Sequence, residues 1–143
     1  MVGTLNITKT EDSPEVVMNA SQGFVSICGT SWPEDAVSFY QPVHQWIEEY
    51  FKNPKEVTDI EFGFTYINTA SSKQIAKLMS VINECKNTNK INVKWIYERD
   101  DNEMKKIGCK YAELLNIDFH FVETEPIVEK EDEEGVYNIV EVN

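Results

Sequence analysis

The sequence predicts a single α/β domain over residues 1–125: a mixed sheet with three N-terminal strands, then three alternating helix–strand units, its helices mainly on one face. Three observations lead there. Short alternating segments bounded by turn residues fill the first thirty positions without a helical period. From Gly29 onward, segments with apolar residues at helical spacing alternate with segments of period two. The later strands each carry one apolar and one more polar side, whereas a sheet covered by helices on both sides is apolar on both.

The elements follow in order. TLNITKT at 4–10 and EVVMN at 15–19 flank the turn-rich Glu11-Asp12-Ser13-Pro14 and read as a hairpin. Phe24–Gly29 is a third short strand. Apolar residues at 39, 40, 43, 46, 47, 50 and 51 form a helical stripe. Pro42 is tolerated only in a first turn, so this helix is expected to start near Ser38, with Ser38 and Gln41 at capping-box spacing, and to end before Pro54. A strand at 57–67 carries Ile60, Phe62, Phe64 and Tyr66 in alternation, and a helix follows from Ser71 to Asn87. INVKWIYE is a half-buried strand. A third helix is expected over 101–116, opened by Asp100 and Glu103 as an acidic capping pair, and DFHFVE at 118–123 closes the core. Residues 126–143 read as an acidic, solvated tail with an added edge strand at Val136–Val142. Helices joining successive strands imply parallel, right-handed crossovers.

Composition limits the function classes. Hydrophobic residues make up 41% and charged residues 27% of 143, the balance of a soluble globular protein. A formal net charge of -12 argues against nucleic acid or an anionic membrane as the main partner. No apolar run approaches the roughly 20 residues of a membrane span, and no signal peptide is recognisable. Cys28, Cys85 and Cys109 form no CxxC and have no neighbouring histidine, usage that suits a reducing cytoplasm. Cytoplasmic location is the expectation.

Catalytic signatures are sparse. His44 and His120 stand far apart, and neither belongs to a recognisable acid–base arrangement. HExxH, GxSxG and P-loop patterns do not occur. Cys28 and Cys85 read as small buried hydrophobes. Asp100, Asp101 and Glu103 read as carboxylates favoured by a helix N-terminus in preference to a metal cluster. The expectation is a non-enzyme with no cofactor and no metal.

The informative stretch is TYINTASSKQ at 65–74, where a strand hands over to a helix. One side chain suffices to cap a helix. Here Asn68, Thr69, Ser71 and Ser72 all offer themselves, with Lys73 beside them. A hydroxyl at such a junction also suits phosphorylation, because a helix N-terminus favours phosphate.

Taken with GTSWPED at 29–35, FYQPVHQWIEEYF at 39–51, FTYINTASSK at 64–73 and the block from Val93 to Glu123, the chain resembles the SiaC family of bacterial regulatory phosphoproteins. The resemblance implies a compact domain similar to the anti-sigma-factor antagonist (STAS) class and no enzymatic activity. It implies switching by a Ser/Thr kinase and a PP2C-type phosphatase, and binding of a diguanylate cyclase by the unphosphorylated form, which promotes biofilm formation. It makes Thr69 the phosphoacceptor. Ala70 stands where the family commonly has Ser, and Ser72 where it has a small residue, which leaves Ser71 and Ser72 as alternative acceptors. With parallel strands, Trp32, Glu34, Asn68, Thr69, Ser71, Lys73 and Asp100 fall on one rim, the candidate partner surface. The competing reading is a small-molecule-binding domain or small enzyme using that rim.

Overall fold

The computed structural model describes residues 2–131 and 137–141, with side chains through Pro126. Strands β1 (Thr4–Ile7), β2 (Glu15–Asn19) and β3 (Phe24–Ser31) precede three repeats of helix and strand. These are α1 (Ala36–Tyr50), β4 (Val57–Ile67), α2 (Thr69–Cys85), β5 (Lys90–Glu98), α3 (Asn102–Leu115) and β6 (His120–Thr124). The six strands lie in sequence order, β1-β2-β3 antiparallel and β3 through β6 parallel. Each right-handed crossover therefore steps the same way across the sheet and leaves its helix on the same face. The expected one-sided α/β architecture is what the chain adopts.

The core lies between that face and the helices. Ile60, Phe62, Phe64, Val93 and Trp95 from the sheet meet Tyr40, Val43, Ile47, Ile75, Leu78, Met79 and Ile82 from α1 and α2. Trp95 is fully buried and donates its indole N–H to the Met104 carbonyl at 3.0 Å, which ties α3 to β5. Gly108 permits this approach: a Cβ there would stand 2.5 Å from the Trp95 ring. The opposite sheet face carries Ser26, Glu61, Lys94 and His120, and among the described residues no helix covers it.

Several boundaries differ from the sequence expectation, each for a local reason. β3 continues past Gly29: Gly29 pairs with Phe64 and Thr30 with Tyr66, so the ladder resumes beyond a bulge whose extra residue is Thr65 of β4, and Gly29 (φ 125) faces that irregularity in place of ending the strand. α1 starts two residues before Ser38. Asp35 is its cap, accepting the Ser38 N–H at 3.1 Å and the Ser38 hydroxyl at 2.7 Å. Pro42 thus sits inside the helix, beyond the first turn, and removes one backbone bond on a half-exposed side. α3 is capped by Asp101, not Asp100; Asp100 adopts a left-handed turn conformation (φ 70) just before it. The strand expected near the C-terminus is present as β8 (Tyr137–Glu141). It pairs with β7 (Ile127–Glu131) in a separate two-stranded antiparallel sheet and does not extend the main one. The remainder of the tail reading lies outside the described residues.

Candidate functional site

The C-terminal ends of β3, β4 and β5 form one edge, and the loops leaving them line up in strand order. Trp32 follows β3, Asn68 follows β4, and Arg99 and Asp100 follow β5. Neighbouring strands lie about 4.8 Å apart, so three successive strand ends fit within about 10 Å. Backbone bonds stitch the loops together: Asn68 N–H to the Ser31 carbonyl at 3.0 Å, Trp32 N–H to the Asp12 carbonyl at 2.8 Å, and Arg99 N–H to the Thr124 carbonyl at 2.7 Å.

Asn68 caps α2. Its backbone is extended (φ -86, ψ 173), and its side-chain oxygen accepts the Ser71 N–H at 2.9 Å. The Asn68 carbonyl accepts the Ser72 N–H at 2.9 Å. The N–H groups of Thr69 and Ala70 have no protein acceptor among the described hydrogen bonds, as the first turn of a helix dictates. Thr69, the first helical residue, is exposed, and Lys73 is exposed one turn further along the same face. Because Asn68 alone caps the helix, the three hydroxyls of this junction, on Thr69, Ser71 and Ser72, are left for other work.

One of them is taken up inside. Ser71, expected on the rim, is fully buried. Its hydroxyl accepts from Ser31 Oγ at 2.9 Å, and Ser31 Oγ bonds Tyr40 Oη at 2.7 Å. Burial pushes the Tyr40 phenol up to about 12, against a smaller opposing effect of its bond to Ser31. The cause lies in the helical period: Ser71 shares the inward stripe with Gln74, Ile75, Leu78 and Ile82. Ser71 is therefore a strut between α2, β3 and α1, closed to a modifying enzyme or a partner. Ser72 is half-buried, and its carbonyl accepts from Tyr111 Oη at 3.4 Å.

The remaining predicted rim residues, Trp32, Glu34 and Asp100, are exposed, and Asn68 is half-buried. Two apolar residues join them. Tyr66 is 54% exposed, close to the 50% of Trp32, and Val37 is exposed at the start of α1. Alternation groups Tyr66 with Ile60, Phe62 and Phe64, but the extra residue Thr65 in β4 shifts the phase, so that Tyr66 pairs with Thr30 and leaves the apolar row. A one-residue bulge leaves no mark in an alternating apolar pattern, so the sequence carries no signal of it.

Groups considered for chemistry are dispersed. His44 Nε2 meets Gln74 Oε1 at 2.9 Å and joins α1 to α2, while His120 is exposed on the open sheet face. Burial pushes the Cys28 and Cys85 thiols up, away from nucleophilic form. Among the described residues no group of three or more His, Cys, Asp or Glu is arranged to hold a metal ion. No helix among them is long and apolar enough to cross a membrane.

Comparison with known proteins fits this geometry. The chain is 21% identical over 116 residues to an uncharacterized protein of Pseudomonas aeruginosa (strain UCBPP-PA14), covering 80% of this chain and 92% of that protein. Its fold matches the solved structure of SiaC of Pseudomonas aeruginosa with a TM-score of 0.73 at 21% identity, over 85% of this chain and 97% of the other. It also matches a chain in the crystal structure of the diguanylate cyclase SiaD in complex with its activator SiaC, from the same organism, with a TM-score of 0.74 at 21% identity over 83% and 97% of the two chains. The sequence model of the SiaC family regulatory phosphoproteins matches residues 7–124, the whole of the sheet-and-helix body from the end of β1 to the end of β6. The chain belongs to the SiaC family.

Proposed function

We propose that the chain is a non-enzymatic regulatory adaptor of the cytoplasm that binds a signalling enzyme through its rim when Thr69 is unmodified and releases it when Thr69 is phosphorylated. The observation that carries the reading is exposed Thr69 at the mouth of α2, on the same sheet edge as the exposed aromatic residues Trp32 and Tyr66. The partner class is a diguanylate cyclase, by analogy with the complex of SiaD and its activator SiaC. A Ser/Thr kinase and a PP2C-type phosphatase set the state of Thr69.

The physics separates the domain from its surface. A phosphate adds roughly -1.5 to -2 charges and three acceptor oxygens. On this domain it meets unpaired N–H groups, a favourable helix dipole and Lys73, so the fold tolerates it. In an interface the same group must be desolvated beside exposed Glu34 and Asp100, so binding weakens. A coupling of about 1–3 kcal/mol shifts affinity about 5- to 150-fold.

Incubation of the Thr69→Ala and Ser72→Ala variants with the kinase, read by intact mass, tests the acceptor. Thr69→Ala is expected to remain unlabelled and Ser72→Ala to be labelled like wild type. Full labelling of Thr69→Ala overturns the assignment.

A further inference from the structure

Beyond the rim, the sheet face that no helix among the described residues covers holds a trough of about 650 Å³. Its floor is a row of residues crossing the strands. Glu15 pairs with Cys28, Cys28 pairs with Gly63, and a Cβ on Gly63 would lie 3.4 Å from Ile96 Cβ. The depression arises because small residues stand in mid-sheet: Gly63 offers no side chain, and Cys28 is its neighbour. Among the described residues, the charged groups along the walls are Glu11, Glu15, Glu98 and Glu125 against Lys9. Of these, Glu125 is joined to Arg99 at 3.1 Å. The negative field reaches the floor, since Glu61 and Glu15 add to the effect of burial in raising the Cys28 thiol.

We infer that this trough is a second docking site, for an extended polypeptide segment in which lysine or arginine alternates with small apolar residues. Charge complementarity selects the cation: acidic walls repel anionic segments and the chain's own acidic tail, and they pair with an ammonium or guanidinium while the floor takes an apolar side chain. Dimensions select a polypeptide. The trough reaches from the β1–β2 loop across to Thr124 of β6, a span of four strand spacings or about 19 Å, which about six extended residues fill. Thr30 and Thr65 line its upper end, so a segment seated there leads directly to Trp32 and Tyr66 on the rim. The site extends the adaptor reading without depending on Thr69.

The test uses the full chain and three probes: an acetylated peptide of about eight residues alternating lysine with valine, its glutamate counterpart, and spermine. Amide shifts in ¹⁵N-correlated spectra report the location, and fluorescence anisotropy the affinity. Because any cation is drawn to a chain of net charge -12, the control is charge reversal on the far side of the molecule. The lysine peptide is expected to shift the amides of Cys28, Gly63, Thr65 and Ile96. The Glu15→Lys/Glu98→Lys pair is expected to weaken it about ten-fold, and the exposed pair Glu48→Lys/Glu49→Lys on α1 less than two-fold. Circular dichroism checks that each variant is folded, and Glu11→Lys/Glu15→Lys, both exposed positions, replaces the first pair if that one is not. Binding of the glutamate peptide with equal affinity, equal loss from the α1 pair, shifts confined to the helical face, or spermine matching the peptide each overturns the assignment. Loss of kinase labelling at Thr69 without change in peptide binding would instead count against the adaptor reading alone.

Discussion

Thr69 and Ser71 are two residues apart and chemically alike, yet the helix assigns them opposite fates. At Thr69 the side chain leaves the domain; at Ser71 it enters a line of buried hydroxyls with Ser31 and Tyr40. Loss of the phenol in Tyr40→Phe is expected to cost about 0.5–1.5 kcal/mol in urea unfolding, the net worth of a typical buried hydrogen bond. The alkaline limb gives an independent check. Tyr40 titrates near 12 when folded and from a reference of 10.0, so its share of stability is intact below pH 10 and is lost as pH rises toward 12, because the unfolded chain ionises first. The variant is expected to lose less stability than wild type over that interval. Parallel alkaline limbs would show that the phenol is not buried as described.

At the scale of elements, caps and close approaches decide where helices begin and how near they lie. Hydrogen bonds from Ser38 lower the Asp35 carboxyl below its reference of 3.8. Its stabilisation is therefore present above that value and disappears as pH falls through the lowered one, a loss that Asp35→Asn should remove from the acid unfolding curve. Gly108 raises a sharper conflict. Alanine is about 1 kcal/mol the better helix former, yet its Cβ would enter the Trp95 ring. Gly108→Ala is expected to lower stability by a net 1–3 kcal/mol, roughly the cost of overpacking, and to disturb Trp95 fluorescence. A stabilised Gly108→Ala variant would mean that α3 is free to move off the sheet.

The elements were legible in the sequence wherever periodicity was long. β4 was expected at 57–67 and is found there, and the helical stripes of α1 and α2 are the ones buried in the core. What escaped is short-range and three-dimensional. Capping motifs at adjacent acidic and hydroxyl residues could not be ranked, so Ser38 was favoured over Asp35 and Asp100 over Asp101. Gly29 reads as a stop because glycine marks strand ends as well as irregularities inside a ladder, and here it stands opposite the bulge of β4. Ser71 reads as a rim residue until its helical phase is considered, and Tyr66 reads as part of the apolar row because alternation does not reveal the extra residue at Thr65.

For the whole molecule, sequential strand order is the cause from which the rest follows. Stepping each crossover in one direction places all three helices on one face, leaves the other face open, and aligns three loops at one edge. The rigid body thereby presents two surfaces, the rim around Thr69 and the trough behind it, without any part needing to move. The most direct measurement of the central claim is calorimetric titration of the proposed partner, a diguanylate cyclase, with unmodified protein and with protein stoichiometrically phosphorylated on Thr69. The account predicts affinity about 5- to 150-fold weaker for the phosphorylated form, with an unchanged far-ultraviolet spectrum and backbone. Equal affinity of the two forms would contradict it.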